Sequence, residues 1–305
     1  MRLALLAAAI GCVSAAHASF DMLLIADATA GVVYRYDGDT GTYLGSFGGG
    51  DLVGCTSIAI KQNLGLAFVG LGSAGGYSVY DYNTGNLITS NSFAFVRGIA
   101  TTNTGVLAAT GSTQISLTNG FGTGLPFTNY NGTAGDVFNE VAVDSGQQVV
   151  SYSTSMGRIS RWSPTGYASP VQTVIDNAYI GMAGCSIQGT KMLSVSSTGV
   201  ANIKNITALG SAPTAGFGPG TAWTSAIDIE FGHTNVAYGL GKVGTQLRLQ
   251  KYRQFGVSDY WDSFGASRQL TLPTNAVGMA IVVAPEPGGL ALLGLGLVVI
   301  IRRRR

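Results

Sequence analysis

Ser57-Ile58-Ala59-Ile60, then Leu66-Ala67-Phe68-Val69, then Tyr77-Ser78-Val79-Tyr80-Asp81-Tyr82 closed by Asn83-Thr84-Gly85, is the stretch that decides the fold. It holds three short runs rich in Ile, Val, Phe and Tyr, each ended by turn residues. Such runs are too short for helices and suit strands, and an Asn-Thr-Gly terminus suits a tight turn. The unit recurs. Segments like Leu66–Val69, here termed strand B, begin at Leu23, Leu66, Val106, Val149, Met192 and Val236, separated by 43, 40, 43, 43 and 44 residues. Segments like Ile58–Ile60, termed strand A, begin at Ile58, Ile99, Val141, Cys185, Ile229 and Met279, separated by 41, 42, 44, 44 and 50. The third strand is clearest at Val32–Asp37 and Tyr77–Tyr82; Asp39-Thr40-Gly41 ends the first as Asn83-Thr84-Gly85 ends the second.

A period near 43 residues leaves room for four short strands per unit, the pattern of a β-propeller blade. Three strands are legible, and the fourth is inferred from the spacing. The first B strand has no A strand before it, and the last A strand has no B strand after it. The expectation is an all-β propeller of six blades over 19–283, in which Met279–Val283 becomes the innermost strand of the blade begun by Leu23. That closure leaves no open sheet edge in the ring. A β-sandwich or β-helix is the competing all-β architecture, and seven blades would need another 40 or so residues.

Composition agrees. Among 305 residues there are 45 Gly, and charged residues make up 10%. The scarcity of Glu and Lys beside abundant Gly, Thr, Val and Tyr favours strands and turns over helices. A hydrophobic share of 46% is ample for a core and argues against wholesale disorder. The formal charge of +2 comes from the chain ends. Without Arg2, Glu286 and Arg302–Arg305 the remainder carries 12 basic and 14 acidic residues, a net charge of about −2. No basic face for a nucleic-acid partner is implied.

The ends read as targeting segments. Met1-Arg2, the apolar run Leu3–Val13 and the small-x-small Ala16-His17-Ala18 form a signal peptide over 1–18, with cleavage expected before Ser19. A lipoprotein reading through Cys12, after Ala9-Ile10-Gly11, is the alternative. At the other end, 284–305 runs Ala284-Pro285-Glu286-Pro287, an uncharged Gly288–Ile301, then Arg302, Arg303, Arg304 and Arg305. Two prolines around Glu286 keep the site extended. Fourteen apolar residues are short for a membrane span, which would need thinning or help from Ile281–Ala284. The arginines would stay cytoplasmic. This order of parts, with Leu292-Leu293-Gly294-Leu295 in the apolar run, resembles the PEP-CTERM sorting signals. Ala284 departs from the Val more often found there. The resemblance implies a Gram-negative bacterium, recognition by an exosortase-type membrane protease, and release or transfer to the cell surface in an exopolysaccharide and biofilm context. The first two repeats are also similar to NHL-type propeller repeats, on Tyr34-Arg35-Tyr36-Asp37 and Thr40-Gly41-Thr42-Tyr43-Leu44-Gly45.

Chemistry-bearing residues are few. Only His233 remains beyond the leader. It falls in an A–B turn, no Gly-x-Ser-x-Gly elbow accompanies it, and a solvated turn histidine is expected rather than a triad member. Zinc-type ligand sets are absent. Aligning the A strands places Ser57, Gly98, Glu140, Gly184, Asp228 and Gly278 at one position, and Ala59, Ala100, Ala142, Ser186, Glu230 and Ala280 two residues on. Period-two alternation puts both positions on one face, near the central tunnel. Glu140, Asp228 and Glu230 are expected to converge there with Arg97 as a partner. The plainer reading is an ion-paired or water-filled lining; the sharper one is a calcium site built from oxygen ligands. Cys55 and Cys185 fall on opposing blades, whereas a bridge needs Cα atoms within about 7 Å; two buried thiols are expected, with a disulfide, which export permits, as the alternative. Tyr34, Tyr36, Tyr80 and Tyr82 suit packing between blades, with carbohydrate stacking as the alternative reading. Two functions follow: a non-enzymatic exported propeller that binds a polysaccharide, matrix component or partner protein, or a calcium-dependent lactonase-like or lyase-like enzyme. A purely structural surface protein is a third.

Overall fold

The computed structural model describes residues 21–283, apart from short stretches at 73–74, 93–94, 111–112, 120–126, 133, 145, 154–155, 164–169, 176–180, 209–214, 219–221, 234, 256–259, 264–266 and 274. The segments read from sequence as a signal peptide, 1–18, and a sorting tail, 284–305, lie outside the described residues. Among those described, no helix is long and apolar enough to cross a membrane.

The strands form six antiparallel sheets arranged as the blades of a propeller. Five sheets have four strands each. The sixth adds the short strand Arg268–Leu270 beside Gln246–Phe255, which accounts for the final 50-residue spacing. The fourth strands inferred from spacing are present, as at Tyr43–Gly48 and Leu87–Asn91. The inner strands are Cys55–Lys61, Gly98–Thr101, Phe138–Val143, Met182–Gln188, Ser225–Phe231 and Ala276–Val282.

The ring closes as the unpaired terminal strands required. Ala276–Val282 pairs antiparallel with Met22–Asp27, matching Leu23 with Ile281 and Ile25 with Met279. First and last strands thus share blade 1. One consequence corrects the sequence reading of the tail: Ile281 and Val282 belong to this ladder, so they cannot extend an apolar span while the ring is shut.

The apolar core sits between blades, not within one. Leu23 and Ile25 pack against Tyr238 and Leu249 of blade 6. Their neighbours Leu24 and Ala26 point the other way, toward Val69 and Tyr80 of blade 2. Strand alternation makes each strand feed two interfaces, and six such clusters run round the ring. Tyr34, Tyr36, Tyr80 and Tyr82 are all buried in them, as blade packing requires. In the turns, Asp37 Oδ1 accepts the N–H groups of Asp39 and Thr40, and Asp81 Oδ1 those of Asn83 and Thr84. Gly41 and Gly85 follow with φ of +68° and +82°, the left-handed backbone that glycine adopts without strain.

Candidate functional site

The inner strands carry a recurring irregularity just before the tunnel-facing residue. The ladder slips by one residue between Cys55 and Ser57, Phe138 and Glu140, Met182 and Gly184, and Ala226 and Asp228. In blade 1 the slip falls beside Gly278. A bulge of this kind re-aims the side chain that follows it. From there the alternation resumes, so Asp228 and Glu230 share one face.

Glu140, Asp228 and Glu230 line one central cavity of about 180 Å³. Ser57, Ser186, Cys185, Ala59, Ala100, Ala142, Gly278 and Ala280 contribute to the same wall. Large side chains alternate with glycines round the ring. A Cβ on Gly98 would sit 2.5 Å from Glu140 Oε1, and one on Gly184 would sit 2.3 Å from Asp228 Oδ1. These glycines leave the carboxylates their space.

Each carboxylate is partly satisfied by neighbouring donors. Glu140 Oε1 accepts the N–H of Val141 at 3.1 Å. Asp228 Oδ1 accepts the N–H of Ile229, and its Oδ2 accepts that of Met279 on the closing strand, both at 2.8 Å. Ser186 donates its hydroxyl to Glu230 Oε2 at 2.6 Å and accepts the N–H of Phe231. Asp228 is buried, whereas Glu140 and Glu230 keep some surface open where they line the cavity.

Burial is the main influence on their acidity. It pushes the Asp228 carboxyl up to about 7, against the pull of its two N–H donors. Glu140 and Glu230 are raised well above the usual range, first by burial and then by the charge of Asp228. Burial also raises the neighbouring Cys185 thiol and Tyr152 phenol, with Glu140 adding to both. Burial of this sort favours the protonated form of each acid, and a cation entering the cluster would favour the ionised form.

Arg97 does not join the three acids. It is exposed and donates through Nη1 to Asn139 Oδ1 at 2.7 Å. Asn139 is the residue skipped by the bulge, so it points away from the face used by Glu140. Among the described residues, no group of three or more His, Cys, Asp or Glu side chains is spaced to hold a metal ion. Cys55 and Cys185 are both buried and free.

His233 sits in its turn, but it is not simply solvated. Its Nδ1 lies 2.7 Å from Asp21 Oδ2, and its backbone N–H donates to the same oxygen. Asp21 is fully buried. This contact joins blade 6 to the start of the described chain. Nothing in the sequence signalled Asp21, which stands 212 residues from its partner.

No protein-family model matches the chain, and no curated protein matches it in sequence. Solved structures do match it in shape. One described as the crystal structure of RRP9 WD40 repeats has a TM-score of 0.59 at 11% identity, covering 86% of this chain and 84% of that one. One described as the structure of U3-55K has a TM-score of 0.56 at 11% identity, covering 86% and 85%. At that identity the likeness is one of fold. The chain is a six-bladed all-β propeller.

Proposed function

We propose that this is an exported binding protein, routed to the cell surface or the medium by its C-terminal signal, whose propeller engages a matrix component, an exopolysaccharide or a protein partner. The observation that carries the proposal is the order of parts after the closing strand: Pro285-Glu286-Pro287, an uncharged run, then Arg302–Arg305. The described chain agrees with such a layout. Gln62 holds the last described residue, accepting the N–H of Val283 and donating to its carbonyl. The sorting motif therefore begins two residues past a fixed point on the ring, and an exosortase-type membrane protease would meet an extended substrate there. Processing would leave the ring's closing strand intact. No specific observation favours the enzymatic alternative.

The test is the C-terminus of the mature protein. The full chain is produced in a Gram-negative host with and without its exosortase, and exported material is examined by intact mass. A mature chain ending near Pro285–Pro287 only when the protease is present is expected. Retention of Arg302–Arg305 in both hosts would sink the proposal. Binding of the released protein to the host's own exopolysaccharide, compared with unrelated polysaccharides, then separates a matrix ligand from a protein partner.

A further inference from the structure

We infer that, while the C-terminal tail is held in the membrane, the propeller rests on the lipid headgroups by the end that carries its A–B turns, with its opposite end held away from the bilayer. The inference rests on the reading of residues 284–305 as a membrane-borne sorting tail and adds the surface that meets the lipid.

Strand order sets the two ends of the ring. In a blade of four antiparallel strands, the turns after the first and third strands lie at one end, and those after the second and fourth at the other. Asn63, Asn83, Asn103 and Thr190 are exposed in turns of the first kind. The closing strand Ala276–Val282 is an inner strand beside the central cavity, so it finishes at that same end. Gln62, in the blade 2 turn, fixes Val283 there with two hydrogen bonds of 3.0 and 2.6 Å.

Reach then decides the orientation. Gly288, where the uncharged run begins, is five residues past Val283, so the two stand at most about 18 Å apart in any conformation. About 6 Å of that is needed to cross the headgroup layer. The run cannot lend residues to the linker, since its fourteen are already few for a span. Were the opposite end to face the bilayer, Val283 would stand off by the length of the seven-residue closing strand, about 23 Å, before any headgroup is crossed. Were the ring to lie on its rim, three strand spacings and the outermost side chains would intervene, about 20 Å in all. Only the A–B end brings the start of the run to the bilayer.

The chemistry of that end suits headgroups. Its charged groups are engaged locally: Asp37 and Asp81 cap their own turns, Asp144 Oδ1 accepts the N–H of Gln148, and the Lys61 ammonium donates to the Thr102 carbonyl at 2.7 Å. The exposed amides and hydroxyls of Asn63, Asn103 and Thr190 can hydrogen-bond to lipid phosphates and esters. The other end exposes Val53, Phe95, Met156, Val200 and Leu272, each at least 36% accessible. On composition alone those apolar side chains would seek the bilayer, so the tether and the surface chemistry call for opposite orientations, and an experiment can tell them apart.

The test is energy transfer from a fluorophore on the ring to an acceptor in the headgroups of phosphatidylcholine vesicles. The full chain is reconstituted with its tail, with no protease present. Cysteine is introduced as Asn63→Cys at the A–B end or as Gly50→Cys at the other, where no atom lies within 4 Å of an added Cβ. Cys12→Ser removes the leader thiol, Cys55 and Cys185 are buried, and far-UV circular dichroism checks that each variant folds. Transfer from Asn63→Cys is expected to exceed that from Gly50→Cys several-fold. A flexible insert of about twenty Gly and Ser residues between Val283 and Ala284, spanning about 25 Å on average, should abolish or reverse the difference. Equal transfer without the insert, greater transfer from Gly50→Cys, or a difference that survives the insert overturns the inference. Flotation separates it from the reading beneath it. A chain that does not float with the vesicles has no membrane-borne tail, and both fall; a chain that floats with equal transfer loses only the orientation.

Discussion

Raising the pH from 5 to 8 should destabilise this propeller, and the tunnel acids set the size of the effect. The Asp228 carboxyl stands at about 7 in the folded chain against 3.8 for the free group. Its folded acidity constant is raised, so the folded state holds a proton that the unfolded state has already released. The associated stability is fully present below about pH 4 and is lost as the pH rises through 7. A shift of about three units corresponds to roughly 4 kcal/mol in total, of which about 2 kcal/mol falls between pH 5 and 7. For a domain of this size that is roughly 4–8 °C in Tm. Glu140 and Glu230 shift in the same direction and add to the loss as the pH rises. The perturbation that isolates the cause is Glu230→Gln, which removes one charge and retains an acceptor for the Ser186 hydroxyl. The assay is thermal unfolding by circular dichroism in amine-free sodium phosphate across pH 5 to 8. The variant should match the wild type at pH 5 and melt several degrees higher at pH 8. A wild-type Tm that is flat or rises with pH, or a variant with no advantage at pH 8, would refute this account of the cluster.

Three further outcomes follow from the ring. Ending the chain after Asn275 removes Ala276, Met279 and Ile281 from the blade 1–blade 6 core and should abolish cooperative unfolding, whereas ending it after Val283 should preserve it; thermal circular dichroism distinguishes the two. Asp21→Ala strips the His233 ring and backbone N–H of their shared acceptor and should lower stability by about 1–3 kcal/mol in urea unfolding. Gly184→Ala would place a Cβ 2.3 Å from Asp228 Oδ1 and 2.8 Å from its Cα. It should lose about 1–3 kcal/mol through overpacking, measured the same way, while an alanine at Gly50, with no atom within 4 Å and no left-handed backbone, should not clash.

Much of this architecture is legible in the chain because repetition amplifies weak signals. One run such as Leu66–Val69 is ambiguous, but six at a near-constant spacing fix the number of blades. The missing partners of Leu23 and Met279 fix how the ring closes. The same alignment brought Glu140, Asp228 and Glu230 to a common level, since residues at equivalent places in a ring necessarily face one axis. Arg97 stands one residue before Gly98, the position aligned with Glu140, so strand alternation turns it off the tunnel face, and its hydrogen bond to Asn139 holds it there.

The order of apolar runs and turns therefore determined the fold class, the blade count and the meeting of the two ends, because these depend on periodicity and on leaving no strand edge unpaired. Tertiary structure alone decided which acids become proton-holding groups and that Asp21 anchors His233. Those properties depend on burial and on distances between blades far apart in sequence, quantities that exist only once the ring has closed.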